Sequence, residues 1–557
     1  MCSLSPAEIS GDDKTEGCSD TKWLFTSCWD CRPGRNVLDR ACAAARMSTN
    51  SRIHRWELVG LGLVCLLAAV ARGWNLRNGF FHPDEPLVIE VVQGMRERGD
   101  WDTNWVRANL PENFHYNQFN FSGYLMTARV FAPLAELVAG PLARREDRGL
   151  LWYRGLSAVL ATLAVGLTWL LARTLAGPVA AALAGTAAAL APLLVQDAHY
   201  GRPEAFATVL FLAVACLCVY RERPAWGQMI VAGLLVGVLA MTKVTLALAA
   251  VFPAWVWWRS RPSGPDAKPR NWWWVGAGTL GAALVGTWLA APQAWREPRA
   301  FLHGVQALQL QYATGHPPHS LPDGSMMWRL QADYFGQTLG LATAALAALG
   351  LAVAVVRRRW TLLVVVFFPL LATAVYFSGR RVFFERNLSH VVPLYLIGAG
   401  VGWAAAHAWL RNRGVNRRWG VTLTLVVLGA VLWPMARVTH AFVVRDLGGA
   451  TEQRRVDFEQ AIRVRHPEIT GTCQTALLAA HMIDGVETER RKSAGPLLLI
   501  VDDYHDAFTK NCLNELRRRY DVVDLGRLES VYGPLPVCTL LTYHNRSLDF
   551  FLVRAPR

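Results

Sequence analysis

Two adjacent acids, Asp84 and Glu85, are the residues of this 557-residue chain whose type and position best suit them for chemistry. They lie in Phe81-His82-Pro83-Asp84-Glu85-Pro86, just beyond the first strongly apolar segment. Because a proline on each side restricts the backbone, we predict a rigid, extended turn that fixes both carboxylates. A carboxylate held there can take a proton from a substrate at a membrane surface.

Other charged residues occur in segments far away along the chain. One cluster is Asp197-Ala198-His199-Tyr200-Gly201-Arg202-Pro203-Glu204, and Lys243 follows an uncharged apolar run. A short stretch, 378–387, adds Arg380, Arg381 and Arg386. Carboxylates suit proton abstraction and cations suit phosphate, so these segments together predict a site for an anionic substrate.

Each of these residues also has a structural interpretation. An acid such as Asp84 near a helix end commonly caps the helix or pairs with a cation. Lys243 and the arginines can extend along apolar surface to the membrane interface. His199, His316 and His319 lack the spacing of a metal motif, so solvated loop histidines are the favoured interpretation and we predict no metal site.

The elements that must position these residues are membrane helices. Hydrophobic residues make up 53% of the chain and charged residues 18%, and the apolar residues form blocks long enough to cross about 30 Å of hydrocarbon. We predict an all-α polytopic membrane protein with about eleven spans. They are 56–73, 151–172, 174–195, 205–220, 227–242, 244–258, 272–291, 337–356, 360–377, 388–410 and 419–439.

The basic residues of the short loops predict the orientation. Four groups fall on alternate loops, and Lys and Arg concentrate on the cytoplasmic side. The groups are Arg221 and Arg223; Arg259, Arg261, Lys268 and Arg270; Arg357 to Arg359; and Arg411, Arg413, Arg417 and Arg418. Asp84 and Glu85 are then extracytoplasmic, as are the long first loop 74–150 and the C-terminal tail.

A net charge of +15 is also compatible with nucleic-acid binding. The basic residues, however, are scattered over membrane-flanking loops and form no continuous basic face. We therefore predict contact with membrane lipid and no nucleic-acid partner.

Three regions flank or interrupt the membrane domain, which we place at 51–440. For residues 1–50 we predict a disordered extension or a start site assigned too far upstream, since Met47 opens a short basic lead. The alternative is a zinc knuckle of Cys18, Cys28, Cys31 and Cys42. Loop 74–150 contains a helix-like stretch, Phe121 to Gly140, and aromatic residues that can anchor at the interface or share in substrate binding.

Residues 441–557 predict a small extracytoplasmic α/β domain. The run 496–501 and the stretch 520–525 are typical of strands, and a charged helix-like segment, 508–520, separates them. Cys473, Cys512 and Cys538 lie in a compartment that permits one disulfide.

The order of these features resembles the GT-C superfamily, the membrane glycosyltransferases that use polyprenyl-phosphate sugars and include protein O-mannosyltransferases and lipid A aminoarabinose transferases. The resemblance covers about residues 56–410. Its elements are Asp84-Glu85, Asn117-Gln118-Phe119-Asn120-Phe121, Tyr153-Arg154, Ala191-Pro192, His199 to Glu204, Gly233 to Gly237, Thr242-Lys243 and Glu385-Arg386-Asn387.

The resemblance implies a multi-pass enzyme, expected in a bacterial inner membrane, that transfers a hexosyl or pentosyl group with inversion to an acceptor hydroxyl at the periplasmic or exterior face. Asp84 would be the base, with Glu85 beside it. Lys243 and Arg386, then Arg380 or Arg381, would hold the lipid phosphate, and Arg202 and Glu204 would position the sugar or Asp84. No step requires a cofactor, although a divalent metal is compatible with the chemistry. The acceptor is a protein, lipid or glycan.

Two departures bear on the substrate. The family usually has Asp at the position of Glu204, which keeps a carboxylate, and the proline-rich motif common in the first loop is absent around Phe119 to Leu125. The resemblance therefore predicts the type of reaction more directly than the class of acceptor.

Two other function classes stay open. A lipid or solute transporter also has many spans and intramembrane charges, but it predicts internal repeats that this chain does not show. A scaffold acting through its C-terminal domain would leave Asp84 dispensable.

Overall fold

The fold is described by a computed structural model for residues 53–556. The description omits 78–81, 83, 140–145, 222–223, 262–269, 316–326, 383, 476–481, 494, 503–505 and 533–546. The predictions for residues 1–50, including the zinc-knuckle cysteines, and those for His316, His319 and Cys538 lie outside the described residues.

Helices dominate the membrane part. They are Arg55–Gly73, Asp84–Glu97, Ser122–Ala139, Glu146–Ala176, Pro178–Leu190, Pro192–Ala198, Pro203–Val219, Trp226–Thr242, Val251–Arg259, Arg270–Ala290, Pro292–Arg296, Pro298–Thr314, Met327–Thr338, Leu341–Val356, Trp360–Ser378, Val392–Asn412 and Arg417–His440. Short 3₁₀ segments lie at Trp105–Arg107, Glu112–Asn117, Val244–Ala250 and Glu385–Leu388, and the last long helix continues as a π-helical stretch, Ala441–Asp446.

The predicted helical membrane architecture is confirmed. All eleven apolar segments are helical, and four helices are long and apolar enough to cross a membrane by themselves, or six if two bent pairs each count as one span. Three more apolar helices are shorter: Pro203–Val219, Trp226–Thr242 and Val244–Arg259. The chain is an integral membrane protein, and the total of about eleven spans stays a prediction.

One bent pair carries residues of the predicted site. Pro178–Leu190 and Pro192–Ala198 meet at 54°, because Pro192 has no N–H for the carbonyl of Ala188 and its ring disrupts the helix. Buried Arg72 donates to the carbonyls of Ala188 and Ala189, at 3.0 and 2.9 Å. The guanidinium therefore donates hydrogen bonds to carbonyl groups that have lost their helical partners at the break.

Two local predictions from the sequence were wrong, a turn and the start of a span. Asp84 and Glu85 do not form an extended turn but open the helix Asp84–Glu97. Acids stabilise the first turn of a helix, and Pro86 is tolerated there because N–H groups of that turn have no intrahelical acceptor. The predicted span 337–356 begins instead at Leu341, after a 114° bend at which Gly340 takes a φ of 84°.

The C-terminal part has helices Ala450–Arg465, Met482–Lys492 and Asp506–Arg519 and four strands: β1, Gly471–Thr475; β2, Leu497–Asp502; β3, Tyr520–Leu528; β4, Leu548–Pro556. The sheet order is β1-β2-β4-β3, with β1 and β2 parallel and β4 antiparallel to both neighbours. The predicted strands at 496–501 and 520–525 and the helix between them are confirmed. Cys473 and Cys512 are free thiols.

Close helix packing brings Lys243 to its position. Gly233 and Gly237 on Trp226–Thr242 face the helix Arg270–Ala290, where an added Cβ would overlap the carbonyl oxygens of Thr279 and Ala283. Small residues four apart allow helix backbones in membranes to approach closely. The glycine spacing noted in the sequence therefore sets the distance between two helices, one of which ends just before Lys243.

We predict that Gly237→Ala lowers the thermal stability of the protein in detergent, because the new Cβ must push the two helices apart at a cost of about 1–3 kcal/mol. Gly227→Ala is the matched control, since Gly227 lies on the same helix with open space around it. Equal melting temperatures for the two variants would contradict the close-packing role of Gly237.

Candidate active site

Several candidate residues converge on one cavity. The cavity has a volume of about 310 Å³, and its charged lining residues are Asp84, Lys243 and Arg386. The other lining residues are aromatic, apolar or uncharged polar: Leu87, Trp105, Phe114, Tyr116, Asn117, Asn120, Phe121, Val244, Thr245, Val305, Leu308, Gln309, Gln311, Tyr312, Tyr376, Phe377, Phe384 and Asn387. The described lining thus has two cations and one carboxylate at a largely apolar surface.

Asp84 is held between two partners and still reaches the cavity. Its carboxylate lies 3.0 Å from a terminal nitrogen of Arg386, and its backbone N–H donates to Nδ1 of His82 at 3.1 Å. The side chain is 24% exposed. A carboxylate that is fixed but accessible can accept a proton from a bound hydroxyl.

Lys243 belongs to a buried ionic group beside the cavity. Its ammonium lies 2.8 Å from Oε1 of Glu204. Arg202 in turn lies 3.4 Å from Oε2 of Glu204 and donates to Asp197 at 3.0 Å. Ser389 donates to the other oxygen of Asp197 at 2.5 Å. Every charge in this group faces an opposite charge, as burial requires.

Glu85 points away from the cavity. It is fully buried, and its Oε1 accepts from Arg154 Nε at 2.9 Å and from the N–H of Gly201 at 2.7 Å. Its Oε2 accepts from Arg154 at 2.8 Å and from the N–H of His82 at 3.0 Å. Four hydrogen bonds occupy this carboxylate, so Glu85 ties its own segment to two others, whereas the neighbouring Asp84 carboxylate lines the cavity.

One wall of the cavity has unusual backbone geometry. Phe119 and Phe121 take φ values of 59° and 62°, a left-handed conformation that costs bulky residues roughly 1–3 kcal/mol. Contacts hold the loop in place: Phe119 packs in the cluster with Met241 and Ala291, and Trp105 donates to the carbonyl of Asn120 at 3.0 Å. As a result, Phe121 lies against the Lys243 ammonium, 5.8 Å from ring centre to nitrogen.

Uncharged polar groups also line the cavity. The Asn387 amide donates to the Tyr312 hydroxyl at 3.0 Å, and Gln311 donates to the Tyr116 hydroxyl at 3.1 Å. Burial raises the pKa of Tyr312, while the nearby positive charge of Arg386 opposes the shift. Tyr312 is therefore a neutral hydrogen-bonding group beside the charged end.

The remaining candidates lie elsewhere. Arg202 and Glu204 are buried behind the cavity rather than in its lining. Arg380 stacks over the ring of Tyr376 at 4.5 Å, and the N–H of Arg381 donates to the carbonyl of Tyr312 at 2.9 Å; the cavity lining includes neither arginine. Buried His199 contacts the carbonyls of Val195 and Trp74.

Sequence reasoning missed the partners that position these groups. Arg154 was noted without a role, although a lone charge inside an apolar span is a signal for a buried pair. His82 and Ser389 carry no comparable signal, because their contacts depend on segments 120 and 192 residues away. Within the described residues, no group of three His, Cys, Asp or Glu side chains could hold a metal ion.

We predict that Glu85→Gln destabilises the protein by about 3 kcal/mol, because it leaves the Arg154 charge buried without its carboxylate. Thermal unfolding in detergent measures the loss, with Glu90→Gln, a partly exposed position on the same helix, as control. Glu85→Gln combined with Arg154→Met should recover part of the loss. Equal stability of Glu85→Gln and Glu90→Gln would refute the ion-pair role.

Part of the chain matches a known protein family. Residues 149–290 match the family model described as dolichyl-phosphate-mannose-protein mannosyltransferase. No curated protein sequence matches the chain.

Two solved structures are similar over most of the chain at low identity. ArnT from Cupriavidus metallidurans bound to undecaprenyl phosphate has 15% identity and a TM-score of 0.48, over 89% of this chain and 98% of ArnT. The oligosaccharyltransferase AglB from Archaeoglobus fulgidus, in complex with an inhibitory peptide and a dolichol-phosphate, has 11% identity and a TM-score of 0.45, over 80% of this chain and 69% of AglB. The family match at residues 149–290 confirms the resemblance to the GT-C glycosyltransferases that was predicted from the sequence.

Proposed function

We propose that this protein is an inverting glycosyltransferase that moves a hexosyl or pentosyl group from a polyprenyl-phosphate donor to an acceptor hydroxyl. One observation carries the proposal: an accessible carboxylate, Asp84, and two cations, Arg386 and Lys243, line the same cavity of about 310 Å³. A phosphate-linked sugar needs both kinds of group at one place.

Asp84 is the base in this proposal. The acceptor O–H gives its proton to Asp84 as the oxygen attacks the anomeric carbon of the donor sugar. The bond between that carbon and the phosphate oxygen breaks, and the electron pair leaves with the lipid phosphate. A carboxylate on the attacking side suits an oxocarbenium-like transition state, and attack opposite the leaving group inverts the anomeric centre.

Arg386 and Lys243 hold the donor phosphate. A guanidinium has five N–H donors, so Arg386 can keep its contact with Asp84 and still bind phosphate oxygens. The Glu204 carboxylate, 2.8 Å from the Lys243 ammonium, fixes that cation at the cavity wall. The cations compensate the charge that grows on the phosphate as the bond breaks, which stabilises the transition state.

Glu85 has a positioning role. By accepting from Arg154, His82 and Gly201 it ties the start of the helix Asp84–Glu97 to two other segments. Asp84 is the preceding residue in the chain, so its place relative to the cavity follows from that anchor. Arg202 acts in the same way through its contact with His82 at 2.5 Å.

The family description supports a lipid-phosphate-linked sugar as donor, since it names a dolichyl-phosphate mannose and a protein as the two substrates. The acceptor here is a protein, a lipid or a glycan. The distribution of the basic loops supports an extracytoplasmic cavity. We propose a bacterial inner membrane, with the site towards the periplasm or exterior.

We expect Asp84→Asn to reduce glycosyl transfer by about 10²-fold or more, because the amide keeps the shape of the side chain but cannot accept the proton. Release of polyprenyl phosphate from a panel of polyprenyl-phosphate sugars, in lipid, measures transfer. Thermal stability and binding of the donor lipid should stay close to wild type. Full transfer activity in Asp84→Asn would exclude this carboxylate as the base, and transport without transfer in wild type would favour the transporter class.

Arg386→Ala and Lys243→Ala should each weaken donor use at limiting donor concentration by about 10- to 100-fold, because a charge-assisted hydrogen bond to phosphate contributes roughly 1.5–3 kcal/mol. Arg380→Ala is the matched control, since Arg380 lies outside the cavity lining. An equal loss in all three variants would point to general surface charge rather than to phosphate ligands at this cavity.

A further inference from the structure

The C-terminal domain packs on a segment next to the candidate active site through two residues that follow β3. Val531 and Tyr532 are buried in one apolar cluster with Val195, Tyr200 and Phe442. Tyr200 comes from the segment after the bent span, and Phe442 from the π-helical stretch Ala441–Asp446. The soluble domain thus packs directly on the segment that leads to Arg202 and Glu204.

Polar contacts fix this junction. The Tyr532 hydroxyl donates to Oδ2 of Asp446 at 2.8 Å, and Arg445 donates to the carbonyl of Val531 at 3.3 Å. Thr451 donates to the other oxygen of Asp446. Burial raises the pKa of Tyr532 well above its ordinary value, so its hydroxyl stays a hydrogen-bond donor. These hydrogen bonds fix the orientation of Tyr532, whose side chain lies in the apolar cluster that contains Tyr200.

From Tyr200 the contacts continue to the catalytic carboxylate. The Tyr200 ring lies 5.0 Å from the His82 ring and 5.0 Å from the Arg202 guanidinium. His82 accepts from the N–H of Asp84, and the N–H of Gly201 donates to Glu85. A shift of the Tyr200-Gly201-Arg202 turn would therefore move the partners of both adjacent acids.

We infer that the C-terminal domain is a positioning element of the active site, and that Tyr532 is its positioning residue. Tyr532 touches no reacting atom; it holds the turn that supports His82, Arg202 and Glu85. The inference rests on the proposed function for its catalytic consequence. The structural part of the inference, that Tyr532 holds this turn, rests only on the contacts described above.

The test compares Tyr532→Phe with Tyr520→Phe. Both remove one hydroxyl from the same domain, but Tyr520 lies in a separate apolar cluster with Leu497 and Leu516. With purified full-length protein in lipid, Tyr532→Phe should lower kcat by about 5- to 100-fold and leave the donor KM within about twofold, since small displacements at a catalytic site reduce turnover strongly. Tyr520→Phe should match wild type.

Hydrogen exchange provides a readout that does not depend on activity. Peptides covering 196–204 should exchange faster in Tyr532→Phe than in wild type or Tyr520→Phe, because the amide of Gly201 loses part of its protection. Asp446→Ala, which removes the acceptor, should reproduce both effects, and the double variant should lose no more than the worse single variant, because the two groups share one hydrogen bond.

Unchanged kcat together with unchanged exchange at 196–204 in Tyr532→Phe would overturn the inference. Faster exchange without any wild-type transfer activity would instead leave the coupling intact and contradict the proposed glycosyltransferase function. If Tyr532→Phe lowers global stability, exchange across β2 and β4 reports it, and selective loss at 196–204 remains the deciding result.

Discussion

Buried charge is the constraint on which the rest of this structure depends. Five charged side chains beside the cavity, Glu85, Arg154, Asp197, Arg202 and Glu204, are almost fully buried. An unpaired charge in such surroundings costs several kcal/mol, so each must meet an opposite charge from another segment. Glu85 with Arg154 joins the first loop to the second long helix, and Arg202 with Asp197 and Glu204 closes the turn after the bent span. Asp84 and Lys243, at the edges of this network, keep the partial exposure that the proposed reaction and phosphate binding require.

Helix breaks place these charges where they can pair. Pro192 bends one apolar helix by 54° and frees carbonyl oxygens that Arg72 then binds. The bend redirects the chain so that Asp197 and Arg202 approach His82 and Ser389 rather than continuing along the span. The close approach at Gly237 has a comparable effect on Lys243, because it fixes the helix whose end carries that residue. Local backbone chemistry thus determines which charges meet.

Much of this was accessible from the sequence. Long apolar blocks predicted the helices, and alternating and apolar runs predicted β2 and β3, because both signals are local. Asp84, Lys243 and Arg386 were also predicted, since charges beside apolar segments are costly and stand out. The resemblance ranked Asp84 before Glu85 and Arg386 before Arg380. The sequence could not predict, however, which carboxylate meets Arg154 or which of the two arginines faces the cavity. The apolar cluster that contains both Tyr532 and Tyr200 could likewise not be predicted, because it joins residues more than 300 positions apart.

We propose that the charged end of the cavity binds the phosphate of a lipid-linked sugar beside Asp84. A cryo-electron microscopy structure of the full-length protein in nanodiscs with undecaprenyl phosphate tests it most directly. We expect phosphate density within hydrogen-bonding distance, about 2.7–3.2 Å, of Arg386 and Lys243. The lipid chain should extend from there along the apolar lining of the cavity. Phosphate density elsewhere on the protein, with this cavity filled only by solvent, would contradict it.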